Sequence, residues 1–244
     1  TSWYANYDFT NGVLTDVVNG ATFTQTGTAL TNVNDRFANT NNAVSLNGDY
    51  LTRSNVDYPN HVNFGSPYGQ YGTVSFWIKT NTDDSNERII IDDSNRSTIG
   101  STTWTGYYIF LKDGKIGVST RVRYAGSLGY QEATKIVTPY VSNGDWHHVA
   151  MTIGNTLSST GASDILNTRA EIFIDGVNYG RAAIDHVRSI ASGGLQLNES
   201  HDSTGNFKVG NNRTNNLPTT NRYHDAIDDI NIYRRQVTSA EVTQ

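Results

Sequence analysis

Cysteine is absent from the 244-residue chain. That excludes disulfides, thiolate metal sites and a cysteine nucleophile. A secreted animal domain of this size would ordinarily carry a disulfide, so a bacterial or phage source is expected. No apolar run approaches the ~18 residues that a membrane-spanning helix needs, so no membrane insertion is expected. A basic field is missing as well. Net charge is −5, which leaves little to replace phosphate counterions and argues against nucleic acid as a partner. Glutamate is confined to Glu87, Glu132, Glu171, Glu199 and Glu241. A retaining glycosidase needs two carboxylates roughly 5 Å apart, which on a strand means acidic residues two or four apart on one face. Glu171 with Asp175 has that parity, but Asp175 belongs to a turn. No signal peptide stands at Thr1, so the chain reads as a mature fragment or a module excised from a larger protein.

What is present is strand pattern. The central stretch runs from Asn143 to Gly176. Asn143-Gly144-Asp145 turns into an apolar run from Trp146 to Ile153. Ala170, Ile172 and Ile174 then alternate with Glu171, Phe173 and Asp175, the period of a half-buried strand. The polar residues 154–169 read as the loop joining the two. Elsewhere, Val74, Phe76 and Ile78 point one way and Ser75, Trp77 and Lys79 the other. YYIFL at 107–111 turns through Asp113-Gly114 into Ile116, Val118 and Val122, with Ser119, Arg121 and Arg123 on the opposite face. Residues 124–140 and 185–222 read mostly as loop. Thr238 to Glu241 has capping-box spacing for a short helical turn. Roughly a dozen strands without βαβ alternation predict one all-β domain over 1–244, a two-sheet antiparallel sandwich of jelly-roll type.

DRFANTNNAVSLNG, TVSFWIK, DGKIGVST, NGDWHHVAMTI, AEIFIDGV, FKVGNN and DAIDDINIYRR occur in that order. This ordered set resembles the laminin-G-like, concanavalin A-like jelly-roll domains of bacterial extracellular proteins, from about Tyr7 to Val242. The resemblance implies a secreted or cell-surface location, a monomeric module within a multidomain protein, and a polysaccharide or glycan as partner. It also implies one structural calcium, held at the positions that match here: Asp8, the Gly48 carbonyl and Asp228. Asp228 shares strand parity with Ile230 and Ile232, so its carboxylate is expected on the core side, where a cation would offset the cost of a buried charge. Asp92-Asp93 or Asp202 could serve a second, loop-based ion.

A sugar site needs an aromatic platform and polar groups for hydroxyls. Trp104 stands in a polar loop (STTWTGYY) that the fold does not require. Arg121 and Arg123 share an outward face and could fork onto carboxylates or sulfates, or else pair with acidic neighbours. Tyr124 and Tyr130 flank the next loop. His201, Asn212 and Arg213 lie on loops that border the site in the family's topology. Trp77 and Trp146 read as structural, and His147 and His148 as hydrogen-bonded packing, since adjacent strand residues face opposite ways. The expectation is a non-catalytic carbohydrate-binding module for a polysaccharide, with an anionic chain suiting the paired arginines. The alternatives are a protein-interaction or spacer domain of an adhesin and, third, a lyase or hydrolase on the same fold. FKVGNN resembles a strand of alginate lyases, but the accompanying Gln-x-His strand is missing.

Overall fold

The computed structural model describes residues 5–53, 71–94, 106–123, 130–159, 163–189, 207–211 and 217–242. In chain order the strands are β1 (Ala5–Tyr7), β2 (Thr24–Thr26), β3 (Thr31–Val33), β4 (Ala43–Ser45), β5 (Tyr50–Arg53), β6 (Tyr71–Lys79), β7 (Arg88–Ser94) and β8 (Gly106–Lys112). They continue with β9 (Lys115–Arg123), β10 (Tyr130–Tyr140), β11 (Trp146–Ser159), β12 (Ser163–Ile174), β13 (Val177–Ser189), β14 (Phe207–Val209) and β15 (Ala226–Tyr233), before a terminal helical turn α1 (Ser239–Val242).

Two sheets result, and the named strands pair antiparallel throughout. One runs β13-β12-β11-β6-β15-β4-β3, with β1 also on β15; the other runs β10-β9-β8-β7-β14-β5-β2. The alternating residues of the strands meet between them. Val74, Phe76 and Ile78 of β6, Val149 and Met151 of β11, and Ile172 of β12 face Ile109 and Leu111 of β8 and Val118 of β9 in one buried cluster. The all-β jelly-roll expectation holds.

The local turn chemistry follows the sequence. Asp113-Gly114 and Asp175-Gly176 take positive φ at both positions, the backbone that closes tight hairpins. Glu241 accepts from the Thr238 N–H at 2.8 Å and from its hydroxyl at 3.0 Å, which caps α1 as its spacing predicts. The polar segments differ from expectation. The 154–169 stretch is not one long loop: β11 and β12 stay paired from Val149↔Ile174 out to Ser159↔Asp164. Residues 130–140 form a strand on β9, and β13 runs on to Ser189. Residues 154–169 and 185–189 carry no clean apolar alternation to mark their backbone pairing, whereas β10 buries Val137 in the core.

Packing is tight where β8 meets β9. Gly117 lies opposite Phe110, and a methyl group on it would run into the Phe110 ring. Gly117→Ala is therefore expected to cost about 1–3 kcal/mol through overpacking, read as a lower midpoint in urea with unchanged slope.

Candidate functional site

The outer face of the eight-stranded sheet is not uniformly solvated. On β6, Phe76 enters the core, so Trp77 projects outward. His148 of β11 lies directly across from it, and Asp228 of β15 on its other side. The Trp77 and His148 rings lie 5.1 Å apart.

Asp228 corrects the parity reading. Ile227 is in the core, Asp228 faces outward beside Trp77, and Asp229 takes φ 46°. The register slips between Asp228 and Asn231. This bulge resets the alternation, so that Ile230 and Ile232 return to the core. The Asp228 carboxylate is still only 2% exposed, because it forms the floor of the outer face.

A loop covers that floor. In Asp35-Arg36-Phe37-Ala38-Asn39 the Asp35 carboxylate accepts from the backbone N–H groups of Phe37 at 2.8 Å and Asn39 at 2.9 Å. Burial would raise the Asp35 pKa, but these bonds and the Asn39 side chain hold it below the ordinary value. The turn delivers Arg36 onto the sheet. Its guanidinium lies 4.7 Å from the Trp77 ring centre and 4.3 Å from that of Phe37. It bonds Asp229 and stands 3.6 Å from Asp228. Phe37 is left 70% exposed.

The result is a groove of about 1090 Å³. Asp8 and Asn6 line one part, Trp77 and His148 the middle, and Tyr233, Arg235 and Glu241 another. A second hollow of about 560 Å³ shares Arg36, Trp77 and His148 with it and adds Phe37, Trp146 and the Asp175-Gly176 turn. Burial lowers the His148 pKa to about 4, with Asp175 opposing and Arg36 adding to the shift, so the ring is neutral at pH 7. Burial and the Asp229 charge raise Asp228 to about 8; Arg36 opposes this. Asp229 is also raised by burial, against its Arg36 bond. Neutral aromatic walls and carboxylate acceptors around the Arg36 guanidinium suit a ligand with an apolar face and hydroxyl edges.

The predicted residues are distributed differently. Arg121 and Tyr130 lie together on the other sheet, 5.5 Å apart, and Arg121 bonds Glu132 at 2.9 Å. Ser119 donates to the same carboxylate at 2.8 Å. Arg123 stands opposite Tyr130 in the backbone register, with its side chain outside the described part. Trp104, Tyr124, His201, Asn212, Arg213 and Asp202 lie outside the described residues. His147 bonds Asp175 at 2.8 Å and Asn143 at 3.0 Å, which agrees with hydrogen-bonded packing at the rim. Asp175 also accepts from the His148 N–H, so its carboxylate anchors a turn.

Of the three expected calcium donors, Asp8 lines the groove and Asp228 floors it. The Gly48 carbonyl, in the β4–β5 turn, accepts from Arg222 at 3.3 Å. Among the described residues no three acidic or histidine side chains gather as a metal set. Calcium takes six to eight oxygens from carboxylates, carbonyls and water, and Arg36 lies 3.6 Å from Asp228.

Sequence reasoning missed Arg36, Phe37 and Asp229 as site residues. Phe37 had a signal of the kind that singled out Trp104: one aromatic in a polar, Asn-rich loop. Asp229 had none, since a bulge leaves no periodic mark.

Comparison with known proteins bears on this geometry. The family model described as the concanavalin A-like lectin/glucanases superfamily, of laminin-G type, matches residues 47–243. No curated protein matches. Among solved structures, the binding domain of Paraclostridial Mosquitocidal Protein 1 superposes with TM-score 0.59 at 18% identity, over 94% of this chain and 48% of that one. The Botulinum neurotoxin serotype G binding domain gives 0.55 at 15%, over 99% and 50%. The binding domain of Botulinum neurotoxin DC, in complex with SialylT, gives 0.54 at 14%, over 99% and 50%. The chain thus spans about half the length of these domains, and at such identities the likeness is one of fold.

Proposed function

The chain belongs to the concanavalin A-like lectin/glucanase superfamily, and on that footing we propose that it is a non-catalytic carbohydrate-binding module of an extracellular multidomain protein. The observation that carries the reading is the groove on the outer face of the eight-stranded sheet. Phe37 stands exposed in a hollow with Trp146, Trp77 and Arg36, and that hollow shares Trp77 and Arg36 with the groove lined by Asp8 and Asp229. A pyranose ring would stack its apolar face on Phe37, and its hydroxyls would meet Arg36, Asp8 and Asp229. Such sites bind weakly, roughly micromolar to millimolar, and gain strength when modules repeat. That the similar toxin structures are binding domains supports the non-catalytic part of the reading.

Affinity electrophoresis through gels containing soluble polysaccharides tests this. Wild-type protein should be retarded in at least one gel. Phe37→Ala should weaken retention roughly tenfold, about 1.4 kcal/mol, with only a small drop in melting temperature, because the ring is mostly exposed and its one described ring contact is with Arg36. Retention that Phe37→Ala leaves untouched would move the site elsewhere. Absence of retention in every gel would favour the spacer or protein-interaction reading, and the exposed Val17 and Val18 near the same groove would be the first surface to probe.

A structural calcium at Asp8, Gly48 and Asp228 is a separate proposal that the groove reading does not need. It is tested by melting the protein with calcium and with EDTA. An upward shift with calcium that Asp228→Asn abolishes would support it.

A further inference from the structure

The groove has an excess of acid. Asp8, Asp229 and Glu241 line it, against two cations, Arg36 and Arg235. Each cation already has an acidic partner. Arg235 makes two bonds to Glu241, at 2.9 and 2.6 Å. Arg36 bonds Asp229, stands 3.6 Å from Asp228, and is sandwiched between the Phe37 and Trp77 rings. A carboxylate or sulfate approaching Arg36 would come up against the Asp229 carboxylate. It would do so in a partly buried site, where like charges repel strongly.

We propose that the groove selects uncharged sugar chains and rejects uronates and sulfated glycans, with Asp8 and Asp229 as the excluding residues and Arg36 held by Asp229 as a hydroxyl-binding group. This rests on the reading of the groove as a glycan site. The acidic side chains then have a direct use, because carboxylates accept hydrogen bonds and sugar hydroxyls donate them. Size favours a chain over a single sugar. At about 1090 Å³ the groove exceeds the ~300–1000 Å³ usual for one small ligand, and the 560 Å³ hollow continues past Trp77 to Phe37 and Trp146. On the other sheet, Arg121 is engaged by Glu132 and so adds no open fork for an anion.

The test compares gels containing uncharged polysaccharides (a glucan, a mannan and a galactan) with gels containing polygalacturonate or dextran sulfate, each against an inert protein. Wild type should be retarded in an uncharged gel and in neither anionic gel. Arg36→Gln should lose roughly tenfold in the uncharged gel. The double variant Asp8→Asn, Asp229→Asn should gain retention in an anionic gel, with circular dichroism checking its fold. If wild type is held by the anionic gels, and Phe37→Ala releases it, the selectivity is wrong while the glycan groove stands. If nothing is retained, or if retention survives both Phe37→Ala and Trp77→Ala, the groove reading itself fails. A folded double variant that stays blind to anionic gels overturns the role assigned to the two carboxylates.

Discussion

Trp77→Ala is expected to abolish glycan retention and to lower stability by about 2–3 kcal/mol, somewhat less than the ~3–5 of a fully buried tryptophan because this ring is half-buried. Three groups depend on it. Arg36 rests on one part of the indole, 4.7 Å from its centre, and His148 on another, 5.1 Å away. Asp228 lies directly across the backbone pair. Removing the ring takes away the cation–π support of Arg36 and lets water reach His148 and Asp228. Equilibrium urea unfolding and affinity electrophoresis measure the two losses separately. Trp77→Phe should restore most of the stability and part of the binding. A variant that binds normally after losing this ring would place the glycan elsewhere.

Asp228→Asn should change how stability depends on pH. In the folded chain Asp228 titrates near pH 8, whereas in the unfolded chain it titrates near 3.8. Below about pH 4 both states hold the proton and the native state bears no penalty. As pH rises from 4 to 8 the unfolded state ionises first, so wild-type stability from this group falls across that window and the loss is complete above 8. Asparagine removes the dependence. The variant should therefore gain on wild type with rising pH, by about 2–3 kcal/mol at pH 8 relative to pH 4; this is below the ~1.4 kcal/mol per pKa unit ceiling, since Arg36 can move towards an ionised Asp228. His148 works in the opposite direction. Its folded pKa near 4 lies below the unfolded 6.5, so stability is lost as pH falls from about 6.5 to 4. The two slopes oppose each other between pH 4 and 6.5, and wild type should be nearly flat there while Asp228→Asn rises. Thermal melts across pH check this. Parallel curves for the two proteins would mean that Asp228 is ionised in the fold, paired with Arg36 or with an added cation.

The sandwich was legible because its strands bury one face. Val74, Phe76 and Ile78, then Ala170, Ile172 and Ile174, alternate plainly, and Asp175-Gly176 closes the hairpin after Ile174. The outer reaches of β11, β12 and β13 were not legible, because residues 154–169 and 185–189 show no clean alternation to mark their pairing. The groove was harder still. It gathers Asn6, Arg36, Trp77, His148 and Asp229 from five separated segments, and no local spacing links them. Trp77 was placed correctly on the outward face, yet its sequence context gave it only a structural part. Asp228 drew attention for the right reason, a carboxylate in an apolar strand. The Asp229 bulge then turned it to the other face, where Arg36 waits as its counter-charge.

The account stands most directly on the four indole N–H signals of a nitrogen-edited NMR spectrum, from Trp3, Trp77, Trp104 and Trp146. Each is assigned by single substitution to phenylalanine and followed while an uncharged oligosaccharide is added. The groove predicts that Trp77 and Trp146 shift together, with a common saturation curve. A shift confined to Trp104, with Trp77 and Trp146 unmoved, would contradict it and move recognition to the residues between β7 and β8.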